Sequence, residues 1–185
     1  MRKLDDVKLG KFLSLILRHK PETIGITLDK NGWVNVNELI EKIKLSGRYI
    51  DMEILERIVR ENNKKRYSFD ENKKKIRASQ GHSIEVELNL KEMTPPTILY
   101  HGTATRFLES IREKGIIKGN RQYVHLSKDI ETAKNVGKRH GEVVILPIDI
   151  EGLKKIGHKF YLSENKIWLS DDIPSRYILW DKIIY

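Results

Sequence analysis

Apolar positions in the first stretch of the chain recur every three to four residues. Leu9, Phe12, Leu13, Ile16 and Leu17 share one side of a helical repeat, which predicts an amphipathic helix over residues 7–19. Pro21 disfavours helical backbone at Lys20, so Arg18 and His19 fall in the last turn. After a polar turn at Asp29 to Gly32, Asn37 is the expected cap of a second helix carrying Leu39, Ile40 and Ile43. Asp51 is the expected cap of a third, carrying Ile54, Leu55, Ile58 and Val59. The periodicity then changes. RYSFDENKKKIRA holds two strand-like pieces around the turn formers Asp70 to Asn72, which predicts a β-hairpin. Helices followed by a basic hairpin suggest a winged-helix domain over residues 1–80.

Residues 81–94 read as a connecting segment, and Thr94-Pro95-Pro96 opens a second domain, 95–185. There ILYH and YVHLS have strand character, while TRFLESIREKG and DIETAKNVGKR have helical character and end near glycines. VVILPIDI is an uninterrupted apolar run suited to a buried strand, and KIWL and RYIL are expected as two further short strands. The expected fold class is α+β.

Composition narrows the class. With 39% hydrophobic and 33% charged residues the chain reads as a water-soluble globular protein, and no apolar run approaches the ~20 residues a bilayer span needs. The N-terminal residues mix acids and bases with no apolar core of a secretory signal. Cysteine is absent, which removes disulfides, thiolate metal sites and thiol nucleophiles and fits a cytoplasmic location. The net charge of +9 is concentrated: Arg57 to Arg77 holds nine bases against three acids. Such a run is either a solvated face or a polyanion contact, and the aromatic residues within RYSF favour nucleic acid.

Three stretches hold adjacent donors that propensity alone does not require: Arg18-His19, KKRYSF at 64–69 and GNRQYVHLS at 119–127. Each has a plain alternative. Cations at a helix C-terminus complement its dipole, Arg66 is one more base in a basic hairpin, and Arg121 is a turn residue before a strand. His101-Gly102-Thr103 follows a strand, where glycine permits close approach of a ligand and the neighbours supply polar contacts, yet such triplets are also ordinary turns. KRHGE reads as a helix C-cap with Gly141 in the left-handed conformation. There is no GxGxxG, no GxxxxGK[ST] and no HEXXH, and the six histidines are dispersed.

Taken in order, LSLILRHKPE, DKNGW, KKRYSF, IRASQGHS, LYHGT, YVHLS, VGKRHG and ENKIWLSDDIP resemble the RNA 2'-phosphotransferase family, from about Leu9 to Tyr177. The resemblance implies an N-terminal winged-helix lobe, a C-terminal β-rich lobe of ADP-ribosyltransferase-like fold that binds NAD, and an inter-lobe cleft. The implied reaction removes an internal RNA 2'-phosphate in two steps without metal. The phosphate displaces nicotinamide from NAD, and the ribose 2''-hydroxyl then attacks phosphorus, leaving RNA with a 2'-hydroxyl, nicotinamide and ADP-ribose 1'',2''-cyclic phosphate.

By motif, the family's catalytic set maps onto Arg18, His19, Arg66 and Arg121, with His19 as phosphate contact or proton-transfer group. His101, Gly102, Thr103, His125, Ser127 and Arg139 are the implied NAD contacts. Lys64, Lys65 and Arg77 are the expected RNA contacts, no glutamate is motif-supported, and NAD is consumed as co-substrate. The implied partners are NAD and an RNA carrying a 2'-phosphate, with tRNA splicing and RNA repair as the family's settings; no membrane partner is expected from the composition, and a monomer is expected. A different enzyme class fits the same motifs: an ADP-ribosyltransferase that stops after the first step and caps terminal phosphates of RNA or DNA. A non-enzymatic alternative is a winged-helix DNA-binding regulator.

Overall fold

In the computed structural model, which describes residues 2–88 and 90–185, the chain divides into two compact units, Met1–Asn89 and Leu90–Tyr185. Helix α1 (Arg2–Arg18) buries Phe12, Leu13, Ile16 and Leu17, the residues its periodicity marks, in the core of the first unit. It stops where Pro21 forces it to. His19 and Lys20 donate back to the Leu15 carbonyl, and Pro21 opens a single 3-10 turn, Pro21–Ile24, closed by Gly25 in the left-handed conformation.

The Asp29 carboxylate then accepts the Asn31 and Trp33 amides at 2.9 Å each and turns the chain into strand β1 (Val34–Asn35). Helix α2 (Val36–Leu45) is capped by Asn35, whose side chain accepts from Glu38 N, and not by Asn37, which lies inside the first turn. Helix α3 (Met52–Glu61) begins at Asp51 as expected, with Ile54 N donating to its carboxylate at 2.8 Å. Strands β2 (Tyr67–Phe69) and β3 (Lys75–Ala78) form the hairpin, whose turn is held by Asp70 accepting from Lys74 N and Lys75 N. β3 also pairs with β1, so the antiparallel order is β1-β3-β2. The following segment stays with this unit: His82, Val86 and Leu88 are buried, and Glu87 N donates to Lys30 O.

In the second unit β4 (Ile98–Ala104) pairs antiparallel along its whole length with β6 (Val143–Asp149), the buried apolar run. Strands β5 (Val124–Leu126), β7 (Phe160–Leu162) and β8 (Trp168–Ser170) form a second sheet in the order β5-β8-β7. Helix α4 (Leu108–Lys114) ends at Gly115, and α5 (Ile130–Gly137) and α6 (Ile150–Lys155) are capped by Asp129 and Asp149. α5 crosses β4 so closely that a Cβ on Gly102 would lie 1.7 Å from the Ala133 carbonyl oxygen, which only glycine permits there.

Two further expectations fail. RYIL is not a strand: Ser175–Tyr177 is a 3-10 turn that follows Pro174, and only Ile178 bridges to Ile148. Leu179 N reaches the Pro147 carbonyl, but Pro147 has no N–H to return, so a ladder cannot extend there. Gly141 is not the cap of α5, which ends at Gly137; at φ 136° it lies outside the left-handed helical region. Among the described residues no helix is long and apolar enough to cross a membrane.

Candidate functional site

Arg18, the last residue of α1, is only 8% exposed. A helix dipole accounts for a cation at that end but not for taking a guanidinium out of water, which costs free energy. The segment after β3 accounts for the local geometry. Ser83 N donates to the Arg18 carbonyl at 2.9 Å, and Ser83 Oγ lies 2.8 Å from His19 Nδ1, so one residue holds both the backbone and the ring of the Arg-His pair. The Ser83 hydroxyl thus engages Nδ1 and orients the His19 ring.

Beside them His82 is 1% exposed, and neither of its ring nitrogens has a hydrogen-bond partner among the described residues. Burial first, then the charges of Arg18, His19 and Arg77, push its pKa down to about 4, so the ring is neutral at pH 7.

Tyr67 joins the hairpin to the same helix. Its hydroxyl donates to Gly10 O at 2.6 Å and accepts from Ser14, one helical turn before Arg18. Burial raises the Tyr67 pKa, opposed by the Ser14 bond and by the charges of Arg18 and Arg66. The backbone of Arg66 is held on both sides, its N–H by Asn62 Oδ1 at 3.0 Å and its carbonyl by Ser79 N at 2.7 Å. Of the expected set, Arg18, His19 and Arg66 therefore gather in the first unit. Lys64 and Lys65 are exposed in the turn before β2. Arg77 is half-buried, its guanidinium 4.4 Å from the centre of the Trp33 ring and its Nη1 3.4 Å from Asn31 O.

In the second unit His101, Gly102 and Thr103 lie on β4, and His125 and Ser127 lie on or just after β5. Tyr100 and Ser127 exchange backbone hydrogen bonds of 2.8 Å, which makes the two segments neighbours. His101 Nδ1 is 3.0 Å from the His125 carbonyl. A carbonyl can only accept, so Nδ1 carries the hydrogen and the neutral ring offers Nε2 as an acceptor. Burial lowers the His101 pKa, the bond to His125 opposes this, and His140 adds to the lowering. Thr103 and Ser127 are buried hydroxyls on the same pair of segments.

A fixed imidazole acceptor and two hydroxyls suit a polar, uncharged ligand group such as an amide or a ribose, while the side-chain position of Gly102 is taken up by α5. Arg139 is exposed in the turn after α5, next to His140. Arg121 is exposed at the end of the tight turn that precedes β5, its N–H donating to Lys118 O at 3.1 Å.

The residues that charge and spacing leave unmarked are His82, Ser83 and Tyr67. IRASQGHS contains two of them, but nothing local ties Ser83 to a histidine 64 positions earlier. Among the described residues no group of three or more His, Cys, Asp or Glu side chains is placed to hold a metal ion.

A family model described as RNA 2'-phosphotransferase, Tpt1 / KptA family, matches residues 4–172. A protein of Fusobacterium nucleatum named "Probable RNA 2'-phosphotransferase" is 69% identical over 175 residues, covering 94% of this chain and 98% of that protein. Proteins of the same name from Flavobacterium johnsoniae and Pseudomonas fluorescens are 55% and 47% identical over 170 residues, each with 93% of its length covered and with 92% and 91% of this chain. A match of this extent identifies the chain as a member of the RNA 2'-phosphotransferase family.

Proposed function

We propose that this protein removes an internal RNA 2'-phosphate by transferring it to NAD. In this reading the RNA phosphate attacks C1'' of the nicotinamide ribose and releases nicotinamide. The ribose 2''-hydroxyl then attacks phosphorus, leaving a 2'-hydroxyl on the RNA and ADP-ribose 1'',2''-cyclic phosphate. Residues 1–80 serve as a winged-helix RNA-binding lobe and residues 95–185 as an ADP-ribosyltransferase-like lobe.

The observation that carries the reading is the cationic end of α1, where a buried Arg18 adjoins an oriented His19 and a backbone-anchored Arg66 precedes Tyr67, which ties the hairpin to the same helix. Guanidinium groups match phosphate oxygens with a planar fork of donors and keep their charge throughout. A partly desolvated cation also acts more strongly on a dianion than one in bulk water. Each well-aimed donor at the charge that builds on phosphoryl oxygens is worth roughly 2.7 to 4 kcal/mol of barrier. Arg121 is the fourth member of the set. His19 acts as phosphate contact or proton-transfer group.

NAD supplies an electrophilic ribose carbon with a good leaving group. For its nicotinamide riboside half, the contacts in this reading are the acceptor Nε2 of His101, the Thr103 and Ser127 hydroxyls and Gly102, with His125 holding His101 through its carbonyl and Arg139 at the edge of the set; the His101–His125 bond and the two buried hydroxyls support it. Lys64 and Lys65 grip the RNA backbone without reading sequence, and Arg77 supports that surface through its Trp33 stack.

The test is incubation with a short RNA carrying one internal 2'-phosphate and NAD, in the presence of a chelator. Nicotinamide, the cyclic phosphate and RNA with a free 2'-hydroxyl are the expected products. A stable ADP-ribosyl adduct with no 2'-hydroxyl product would replace this reading with phosphate capping.

A further inference from the structure

The acidic pair in SDDIP has no part in the reaction described so far. It lies directly after β8, on backbone fixed at both ends: Ser170 pairs within the sheet, and Ile173 exchanges two hydrogen bonds of 2.9 Å with Ile116. Gly115 packs so tightly there that a Cβ would lie 2.2 Å from the Ile173 carbonyl oxygen. The two side chains of the pair do different things. Asp171 reaches Lys118 Nζ at 3.4 Å in an exposed ion pair, an interaction that contributes little in water. Asp172 Oδ1 instead accepts the backbone N–H of Lys118 at 2.7 Å, a short charge-assisted bond.

Lys118 is the first residue of the turn whose last residue is Arg121. Its carbonyl accepts Arg121 N at 3.1 Å, with Gly119 at φ 59° supplying the left-handed step between them. A chain of contacts therefore runs from β8 through the Asp172 carboxylate to Lys118 and on to the backbone of Arg121. Without the carboxylate, the backbone N–H of Lys118 loses its hydrogen bond to the segment after β8.

We infer that Asp172 is a positioning residue: it holds the turn that aims Arg121. The inference rests on the role proposed above for Arg121. Misplacing a catalytic group by about 1 Å can cost about a hundredfold in rate, so the loss should appear in kcat while KM for NAD changes little.

The test compares Asp172→Ala, Asp172→Asn, Asp172→Glu, Arg121→Ala and the Asp172→Ala/Arg121→Ala double variant in the 2'-phosphate transfer assay, each checked for an unaltered melting curve. Asn keeps a carbonyl oxygen at the Oδ1 position and should retain most of kcat. Ala removes the acceptor and Glu displaces it, and both should lose about tenfold to a hundredfold. The double variant should be no slower than Arg121→Ala alone.

Full kcat in Asp172→Ala beside a slow Arg121→Ala overturns the positioning role and leaves the proposed function standing. An Asn variant as slow as Ala, or fully multiplicative losses in the double variant, overturns it as well, and the Asn and Glu pair decides the matter if Ala does not fold. Full activity of Arg121→Ala overturns the proposed catalytic set and this inference together.

Discussion

Acidification should weaken the first unit through one residue, His82. Its imidazole is 1% exposed, and its pKa lies at about 4 against an ordinary 6.5. Because the folded value lies below the unfolded one, the unfolded chain takes up the proton first as pH falls. The stabilisation is therefore fully present above pH 6.5 and drains away between pH 6.5 and about 4. A shift of about 2.5 units at about 1.36 kcal/mol per unit amounts to about 3 kcal/mol, a sizeable part of a small domain's stability.

The assay is hydrogen exchange at the buried α1 amides of Leu13, Ile16 and Leu17, measured against pH for the wild type and for His82→Asn. These amides report opening of the first unit itself, and the difference between the two proteins cancels every titrating group they share. The wild type should lose about 3 kcal/mol more than the variant across that interval. Parallel curves, or a His82 ring proton that titrates near 6.5 in the folded protein, would refute the burial argument.

Three further outcomes are expected from the same geometry. Arg66→Lys keeps the charge but loses the planar fork, so turnover should fall by about a hundredfold with an unchanged melting temperature; near-normal turnover removes Arg66 from the set. Ser83→Ala takes the hydroxyl from His19 Nδ1 and should lower kcat by roughly tenfold and alter its pH profile, while Ser83→Thr, which keeps the hydroxyl, should restore both; equal rates in all three proteins would exclude an orienting role. Tyr67→Phe leaves the Gly10 carbonyl without this donor and should cost about 1 to 3 kcal/mol in urea unfolding, and a neutral result would mean that water takes the place of the phenol.

What could be read from the chain, and what could not, divides along sequence distance. The end of α1 was legible because an apolar repeat and Pro21 act within a few residues of each other, and the Asp51 cap was legible for the same reason. The start of α2 was not. Asn35 and Asn37 are equally good caps on local grounds, and the extended backbone that lets Asn35 serve comes from pairing Val34 with Ile76. RYIL has the composition of a strand, but its place beside Pro147 depends on a fold-level contact. In the site, the Arg18-His19 pair stood out by its chemistry, yet the bonds that hold the Arg18 carbonyl and orient the His19 ring come from Ser83, which local reading assigns to a connector. A single histidine in such a stretch carries no local mark of burial.

The protonation states of the cluster follow from which group can yield. Arginine does not deprotonate in a folded protein, so Arg18 and Arg77 keep their charges wherever the fold holds them. Placing a third cation among them in a buried position would add repulsion with little water to screen it. Imidazole can give up its proton at modest cost, and His82 does so, driven first by its burial and then by the charges of Arg18, His19 and Arg77. The fold thus fills the space behind the Arg18-His19 pair with a neutral ring and leaves the fixed positive charge on guanidinium groups, which meet a phosphate with directed donors. A lysine in the position of Arg18 could shed its proton as His82 does, and the cluster would then relax by losing the very charge that the proposed reaction uses.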